Sequence, residues 1–150
     1  MARTDDIARV TENIDLCPTF VHLGGAGTMP GADGANLGPL LRGKRVPSWP
    51  DAALVEHHGP DYGAEAGPDA PQPGSGNPTT YEVLRLRHAM YVEYANGERE
   101  YYDLDSDPYE LTNIYPELSP DQGDALHSRL ARMESCHGTA SCRQAARSLP

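Results

Sequence analysis

One stretch of this sequence, residues 81–114, limits the possible folds more than any other. It alternates apolar and polar side chains; Leu84 and Leu86, for example, are separated and followed by arginines. Successive side chains on a strand point to opposite faces, so this pattern predicts a strand with one solvated face. Asn96-Gly97 divides two later alternating runs and favours a type I′ hairpin turn. The stretch therefore predicts an antiparallel meander.

A C-terminal helix is predicted after the meander. Ser119 is suited to the N-cap, Pro120 to the first helical position, and Gln122 to completing a capping box. We expect this helix to cover one face of the sheet, which gives an α+β fold. The rest is loop-rich, because Gly 15 and Pro 14 cluster in two tracts, one of them at 59–80. Upstream, a short helix is expected to begin near Asp15 or Leu16, with Cys17 as a small buried hydrophobe.

Charge and hydropathy exclude several partner classes. Twelve Lys and Arg against 22 Asp and Glu give a formal charge of −10, so we expect neither nucleic acid nor an anionic membrane as a partner. No apolar run approaches the ~20 residues that span a bilayer, and residues 1–6 lack the apolar core of a signal peptide. An export signal would precede these residues if the chain is the end of a longer protein, so its localisation stays open.

The aspartates of the meander's exit resemble a calcium loop at first sight. Asp103, Asp105 and Asp107 alternate like the first three ligands of an EF-hand. The sixth and twelfth positions, which require Gly and Glu, are instead Pro108 and Ile114. We therefore predict no metal site here, and expect Asp103 and Asp107 to accept hydrogen bonds from the backbone of a turn.

Two histidines and two cysteines are the remaining candidates. His57 and His58 end a strand predicted over 52–57 and point to opposite faces, so they cannot share one metal. One of them faces a ligand, or both mark an exposed strand end. Cys136 and Cys142 either form a small local disulfide or are free thiols. Tyrosines at 91, 94, 101 and 102 suit a carbohydrate-stacking platform or, as we favour, sheet packing.

Four segments, in order, resemble the end of sulfatases of the arylsulfatase and N-acetylglucosamine-6-sulfatase kind. Residues 13–19 resemble the family's Asp-Leu-x-Pro-Thr helix, 33–43 its Asp-Gly-x-Ser-Leu-x-Pro-Leu-Leu-x-Gly, 54–57 the next strand, and 102–113 the Tyr-Asp-Leu and Asp-Pro-x-Glu-x-x-Asn ending. The tail with Cys136 and Cys142 resembles the glucosamine-6-sulfatase branch. The resemblance implies that 1–45 are remnants of an alkaline-phosphatase-like α/β domain and 46–150 a smaller C-terminal subdomain.

In that family a formylglycine, made from Cys or Ser in Cys/Ser-x-Pro-x-Arg, attacks a sulfate ester beside a calcium ion. No segment of this chain matches those motifs, so no catalytic or metal-binding residue can be assigned and no cofactor is expected in this chain. The resemblance implies an inactive C-terminal fragment whose partner is an N-terminal catalytic domain in the same protein. It implies sulfated carbohydrate or aryl sulfate as substrate, His57 and His58 as substrate-side residues, and relatives that are often exported or lysosomal. The alternative is a noncatalytic binding module that uses the tyrosine-rich sheet.

Overall fold

The computed structural model describes residues 9–59 and 78–147. Its described strands form a four-stranded sheet in the order β1-β2-β3-β4, with antiparallel pairing of β2 with β3 and of β3 with β4. The meander is therefore confirmed, with the strand predicted over 52–57 at its edge. The strands are β1 (Ala52–His57), β2 (Tyr81–Leu86), β3 (Ala89–Tyr94) and β4 (Arg99–Asp103).

Helices lie before and after the sheet, which confirms the α+β class. The capping box at the start of the long helix is formed as predicted: the Gln122 amide donates to Ser119 Oγ at 3.3 Å, and the Ser119 amide donates to Gln122 Oε1 at 2.9 Å. A last short helix was not predicted. The helices are α1 (Leu16–Leu23), α2 (Gly38–Leu41), α3 (Pro120–Glu134) and α4 (Thr139–Ala145), with 3-10 turns at Asn13–Asp15 and Tyr115–Glu117.

The hairpin between β3 and β4 is present, but its turn is not type I′. Gly97 has φ 90°, whereas Asn96 does not have a positive φ. The Gly97 amide donates to the Tyr94 carbonyl at 2.9 Å, and the Tyr94 amide donates to Glu98 at 2.9 Å. This is the three-residue loop in which a turn with negative φ is followed by a left-handed glycine. Asn96 contributes through its side chain, which accepts the Glu98 amide at 3.0 Å.

Both faces of the sheet are partly buried. Leu84 and Tyr91 are fully buried on one face. Register places Val83 opposite Val92 on the other face, and these residues are 6% and 2% exposed. The predicted solvated face is therefore only partly solvated, because Arg85 shares it with these valines.

The described chain divides into two compact units. One comprises residues up to Ala53 together with those from His127 onward, and the other runs from Leu54 to Leu126. Helix α3 is divided between them: the Tyr115 hydroxyl lies beside Gly123 in the second unit, while Leu130 is buried in the first. The domain boundary predicted at residue 45 refers to a whole sulfatase and stays a prediction.

The first unit has its own apolar core, in which Ala35, Leu40 and Trp49 are buried. No helix within the described ranges has the length and apolar character needed to cross a bilayer. Of the predicted loop at 59–80, residues 60–77 lie outside the described part of the chain. At its two ends, the Gly59 amide donates to Thr80 Oγ1 at 3.0 Å.

Candidate functional site

An open groove of about 620 Å³ lies on the Val83 face of the sheet, within the second unit. Strand alternation builds it, because every second residue of each strand points toward this face. Its floor is apolar and its borders carry an arginine, two glutamates and three tyrosines. The lining residues are Val55, Pro78, Tyr81, Val83, Arg85, Met90, Val92, Tyr94, Glu100, Tyr102 and Glu110.

Three aromatic rings follow one another along one end of this groove. His57 stacks on Tyr81 with ring centroids 4.8 Å apart, and Tyr81 contacts Tyr94 at 5.7 Å. The imidazole Nε2 of His57 is buried and has no hydrogen-bond partner among the described residues. His58 is exposed and comes directly after the last residue of β1. The two predicted histidines are therefore separated: His57 contacts a groove residue, and His58 faces solvent.

A carboxylate fixes two of the groove's phenols. The Tyr94 hydroxyl donates to Glu100 Oε2 at 3.3 Å. Burial, and then a hydrogen bond to Glu100, raises the pKa of Tyr102 to about 12. Burial followed by the charge of Glu100 also raises the pKa of Tyr94. These phenols therefore stay protonated at neutral pH and are available as hydrogen-bond donors.

The opposite border of the groove has one ion pair. Arg85 Nη1 lies 3.7 Å from Glu110 Oε1, and this nitrogen is buried without a hydrogen bond to any residue that the structure describes. Glu110 has φ 58°, a conformation that side-chain-bearing residues rarely adopt. Such a conformation persists only where its surroundings enforce it, and the ion pair with Arg85 is one of the contacts that Glu110 makes there. Aromatic rings, fixed phenols and a guanidinium together suit a polar ring-shaped ligand such as a sugar.

The four tyrosines considered as a platform are divided between the two faces of the sheet. Tyr94 and Tyr102 line the groove, whereas Tyr91 lies on the other face, where it is fully buried and donates to Glu93. Burial, and then this hydrogen bond, raises the pKa of Tyr91. Tyr91 is thus a packing residue, 5.9 Å from the ring of Tyr115.

The aspartate ladder is turn chemistry, as predicted. Asp103 Oδ1 accepts the Asp105 amide at 3.0 Å. Asp107 Oδ2 accepts the amides of Leu111 and Thr112 at 2.7 and 2.8 Å. Within residues 9–59 and 78–147, no three His, Cys, Asp or Glu side chains converge as a metal site would require.

In the first unit, side chains of the motif at 13–19 form hydrogen bonds with the backbone of the motif at 33–43. The buried Asp15 carboxylate accepts the Ala35 amide at 2.6 Å, and Thr19 Oγ1 accepts the Leu37 amide at 2.8 Å. A side chain at Gly34 would overlap the carbonyl group of Ile14 and lie 2.8 Å from the Asp15 amide, so only glycine fits. Asp15, Thr19 and Gly34 therefore position the backbone of the first unit.

Asn113, in the last motif, has the same kind of role. Its side-chain oxygen accepts the amides of Tyr101 and Tyr115 at 3.1 and 2.9 Å, and its side-chain nitrogen donates to the Arg99 carbonyl at 3.1 Å. One amide group thus joins β4 to the segment that leaves it.

The sequence did not reveal the role of Arg129, which lies in the second half of α3. It is 8% exposed, and its guanidinium donates to the Asp51 carboxylate and the Ala146 carbonyl. Cys17, expected to be buried, is exposed. It lies beside other exposed apolar residues of the α1 region, namely Ile14, Leu16, Phe20 and Leu23.

Cys136 and Cys142 are joined by a disulfide, with their Cα atoms 5.0 Å apart. The bond closes the turn that leads into α4. Thr139, inside this loop, donates its hydroxyl toward the carbonyls of Ala32 and Gly34, both at 2.8 Å. The disulfide therefore limits the freedom of a segment that the first unit also holds by hydrogen bonds.

Comparison with known proteins shows which proteins this chain is similar to. No protein-family model matches the chain. It is 30% identical over 146 residues to N-acetylglucosamine-6-sulfatase of Capra hircus, a match that covers 84% of this chain. The chain is sulfatase-like, of the alkaline-phosphatase-like superfamily. It spans about a quarter of that relative, 26% of its length.

Two solved structures extend the comparison of this sulfatase-like chain. One is a protein in complex with its substrate D-glucosamine-2-N,6-O-disulfate: TM-score 0.60, 25% identity, with 80% of this chain and 23% of the other covered. The other is the phosphonate monoester hydrolase of Agrobacterium radiobacter: TM-score 0.60, 27% identity, with 85% and 25% covered. The fold therefore serves proteins named for sulfate and for phosphonate substrates.

Proposed function

We propose that this chain is the C-terminal portion of a sulfuric ester hydrolase and that it does not hydrolyse esters by itself. The observation that carries the proposal is the match to N-acetylglucosamine-6-sulfatase over most of this chain but about a quarter of the relative. The motif residues Asp15, Thr19 and Asn113 all hold backbone, which is consistent with a scaffold role. Its partner is an N-terminal catalytic domain of the same protein.

The two groups that carry out catalysis in whole sulfatases are not expected in this chain. A formylglycine supplies the nucleophile and calcium neutralises charge in whole sulfatases. The described residues do not fit either group, because no three potential metal ligands converge in them and no Cys/Ser-x-Pro-x-Arg motif is present in the sequence. The remaining task for these residues is to bind and orient the substrate.

The groove is our candidate for that task. A sulfated amino sugar has apolar ring faces that suit the row formed by His57, Tyr81 and Tyr94, and an anionic group that suits Arg85. The name of the curated relative and the substrate in the solved neighbour both favour this ligand class. In this proposal His57 acts on the substrate side through its stacking on the groove residue Tyr81, and exposed His58 adds a weaker contact from the solvent side.

Assaying the purified chain on an aryl sulfate, with and without calcium, tests the first part. We expect no turnover; hydrolysis by the chain alone would overturn the proposal. The DNA upstream of Met1 is a second test, for which we expect an in-frame continuation that encodes Cys/Ser-x-Pro-x-Arg. A stop codon shortly before Met1 would instead favour a noncatalytic binding module.

A nuclear magnetic resonance titration of the chain with glucosamine 6-sulfate tests the groove. We expect shifts at Tyr81, Tyr94 and Arg85, and a loss of these shifts in His57→Ala. His58→Ala is the matched control, because the His58 side chain is exposed. We expect this substitution to weaken binding by less than about threefold. Equal effects of both substitutions, or shifts confined to the first unit, would refute this placement.

A second candidate is a phosphonate monoester hydrolase. The match to the enzyme of Agrobacterium radiobacter, at 27% identity over 85% of this chain, favours it. Joining the chain to its upstream segment and comparing turnover of an aryl sulfate with that of an aryl phosphonate separates the two. A preference for the phosphonate would replace the sulfatase proposal.

A further inference from the structure

The basic residues of this acidic chain are not evenly distributed. Segments 34–50 and 135–147 together contain five Lys or Arg and no Asp or Glu, although acidic residues outnumber basic ones by 22 to 12 overall. Asp33 and Asp51 flank the first segment, and both are engaged: Asp33 accepts the Gly138 amide at 2.6 Å, and Asp51 pairs with Arg129. The five basic residues are Arg42, Lys44, Arg45, Arg143 and Arg147.

The two segments contact each other inside the first unit. Arg143 Nη2 donates to the carbonyl and hydroxyl oxygens of Ser48 at 3.2 and 3.1 Å. The same guanidinium lies over the ring of Trp49, 5.5 Å from its centroid. Thr139 fixes the start of α4 to the Ala32 and Gly34 carbonyls. Arg143 is thus already held in position. Binding of a ligand therefore costs little further conformational entropy of its side chain.

A cavity of about 360 Å³ opens where these segments meet. It is lined by Ser48, Ala140, Arg143, Gln144 and Arg147, and no carboxylate is part of this lining. Lys44 and Arg45 precede Ser48 by four and three residues, so their Cα atoms lie within about 14 Å of its Cα. We call the two lining arginines, Arg143 and Arg147, together with Lys44 and Arg45 of the segment that precedes Ser48, the α4 basic face.

We propose that the α4 basic face binds the sulfate groups of a sulfated polysaccharide, outside the groove on the sheet. Arginine's planar fork matches the oxygens of an anionic group, and Gln144 and Ser48 add neutral hydrogen-bonding groups. A single exposed pair is weak, so a ligand with several anions is required for useful affinity. Helix-dipole stabilisation explains basic residues at the end of α4, but it does not explain Lys44 and Arg45. The choice of a sulfated glycan rests on the proposed function.

Calorimetric titration of the full chain with a heparin oligosaccharide tests this. We expect binding that weakens steeply with added salt, and no binding of the desulfated oligosaccharide. Arg147→Gln is expected to weaken binding about fivefold, and K44Q/R45Q more than that. The matched control is Arg87→Gln, an exposed arginine of the sheet unit, which we expect to bind as the wild type does.

Three outcomes would overturn the proposal: no binding, wild-type affinity in both Arg147→Gln and K44Q/R45Q, or an equal loss in Arg87→Gln. An oligodeoxynucleotide of the same charge is included, and binding as tight as that of heparin would replace the glycan with a nucleic acid. Circular dichroism of each variant checks that its fold is unchanged. The readout is separate from the proposed function, because loss of the α4 basic face would leave the His57-dependent shifts and the hydrolysis tests unaffected.

Discussion

Replacing Asp15 by alanine tests whether side chains of the family motifs stabilise the first unit by binding its backbone amides. The Asp15 carboxylate is 5% exposed and accepts the amides of Glu12 at 3.0 Å and Ala35 at 2.6 Å. A hydrogen bond to a charged group contributes about 1.5–3 kcal/mol, and an amide left unpaired in a buried position adds a desolvation cost. We therefore expect Asp15→Ala to lower the free energy of unfolding of this unit by about 3–5 kcal/mol.

Urea denaturation followed by tryptophan fluorescence measures this loss. Trp49 is the single tryptophan of the chain, is 4% exposed and donates through Nε1 to the Val10 carbonyl at 2.8 Å, so its emission reports on the first unit. The midpoint is expected to fall while the slope with denaturant stays constant, since the surface exposed on unfolding is nearly unchanged. Far-ultraviolet dichroism would mix the two units and is the wrong probe.

Two further variants make the result decisive. Asp15→Asn keeps one acceptor oxygen and places an amide nitrogen opposite a donor, so roughly half the loss is expected. Asp124→Asn removes a negative charge at an exposed position of the second unit and is expected to change the free energy of unfolding reported by Trp49 by less than about 0.5 kcal/mol. If Asp15→Ala unfolds at the same urea concentration as Asp124→Asn, the hydrogen bonds of Asp15 do not stabilise the first unit and the prediction is refuted.

Three other predictions concern pH, redox state and packing. The pKa of Tyr102 is raised to about 12 in the folded chain, above the ordinary value of about 10. The contribution of Tyr102 to the free energy of unfolding is therefore fully present below pH ~10 and is lost as pH rises from there toward 12. The tyrosinate absorbance curve should lose a component that titrates near pH 12 in Tyr102→Phe, and an unchanged curve would contradict this. Thiol titration of the unfolded, unreduced chain should count only Cys17, and C136S/C142S should cost about 2 kcal/mol; three reactive thiols would exclude the disulfide. Gly34→Ala should destabilise by about 1–3 kcal/mol through overlap with the Ile14 carbonyl, and a neutral result in urea would show that the backbone yields there.

Local sequence signals predicted the elements whose cause is local. The meander follows from alternation, and the start of α3 follows from Ser119 and Gln122. The turn type at Asn96-Gly97 was wrong because that dipeptide also fits a loop in which only the glycine is left-handed. Local chemistry thus identified the hairpin without distinguishing between its two geometries.

Elements with distant causes were missed. Helix α4 has no side-chain cap of its own, and its start is held by Thr139, whose acceptors Ala32 and Gly34 lie more than a hundred residues away. The role of Arg129 likewise depends on Asp51, 78 residues away, and on Ala146, 17 residues away. No window of the sequence contains both partners, so pattern reading could not find these contacts.

The candidate site was predictable in part. Placing His57 at the strand end was correct, but the ring that it stacks on, Tyr81, comes 24 residues later in the sequence and is brought beside it by the neighbouring positions of β1 and β2 in the sheet. Glu110 gave no signal, because nothing in its sequence context indicates a left-handed backbone. The groove therefore required the register of the strands, whereas its aromatic and acidic character was already present in the composition of residues 81–110.

The motif side chains that bind backbone amides in both units also explain why this part of the chain resembles both a sulfatase and a phosphonate monoester hydrolase. Asp15, Asp107 and Asn113 act on backbone amides, so their roles depend on chain geometry and are indifferent to whether the reacting atom is sulfur or phosphorus. Discrimination must come from groups that touch the ester and from the surfaces that select the rest of the substrate. Within the described residues, the groove beside His57 and the α4 basic face are the two surfaces that we propose for that selection. Binding assays on those two surfaces therefore test which substrate is selected. Substitution of Asp15, Asp107 or Asn113 tests only the stability of the fold.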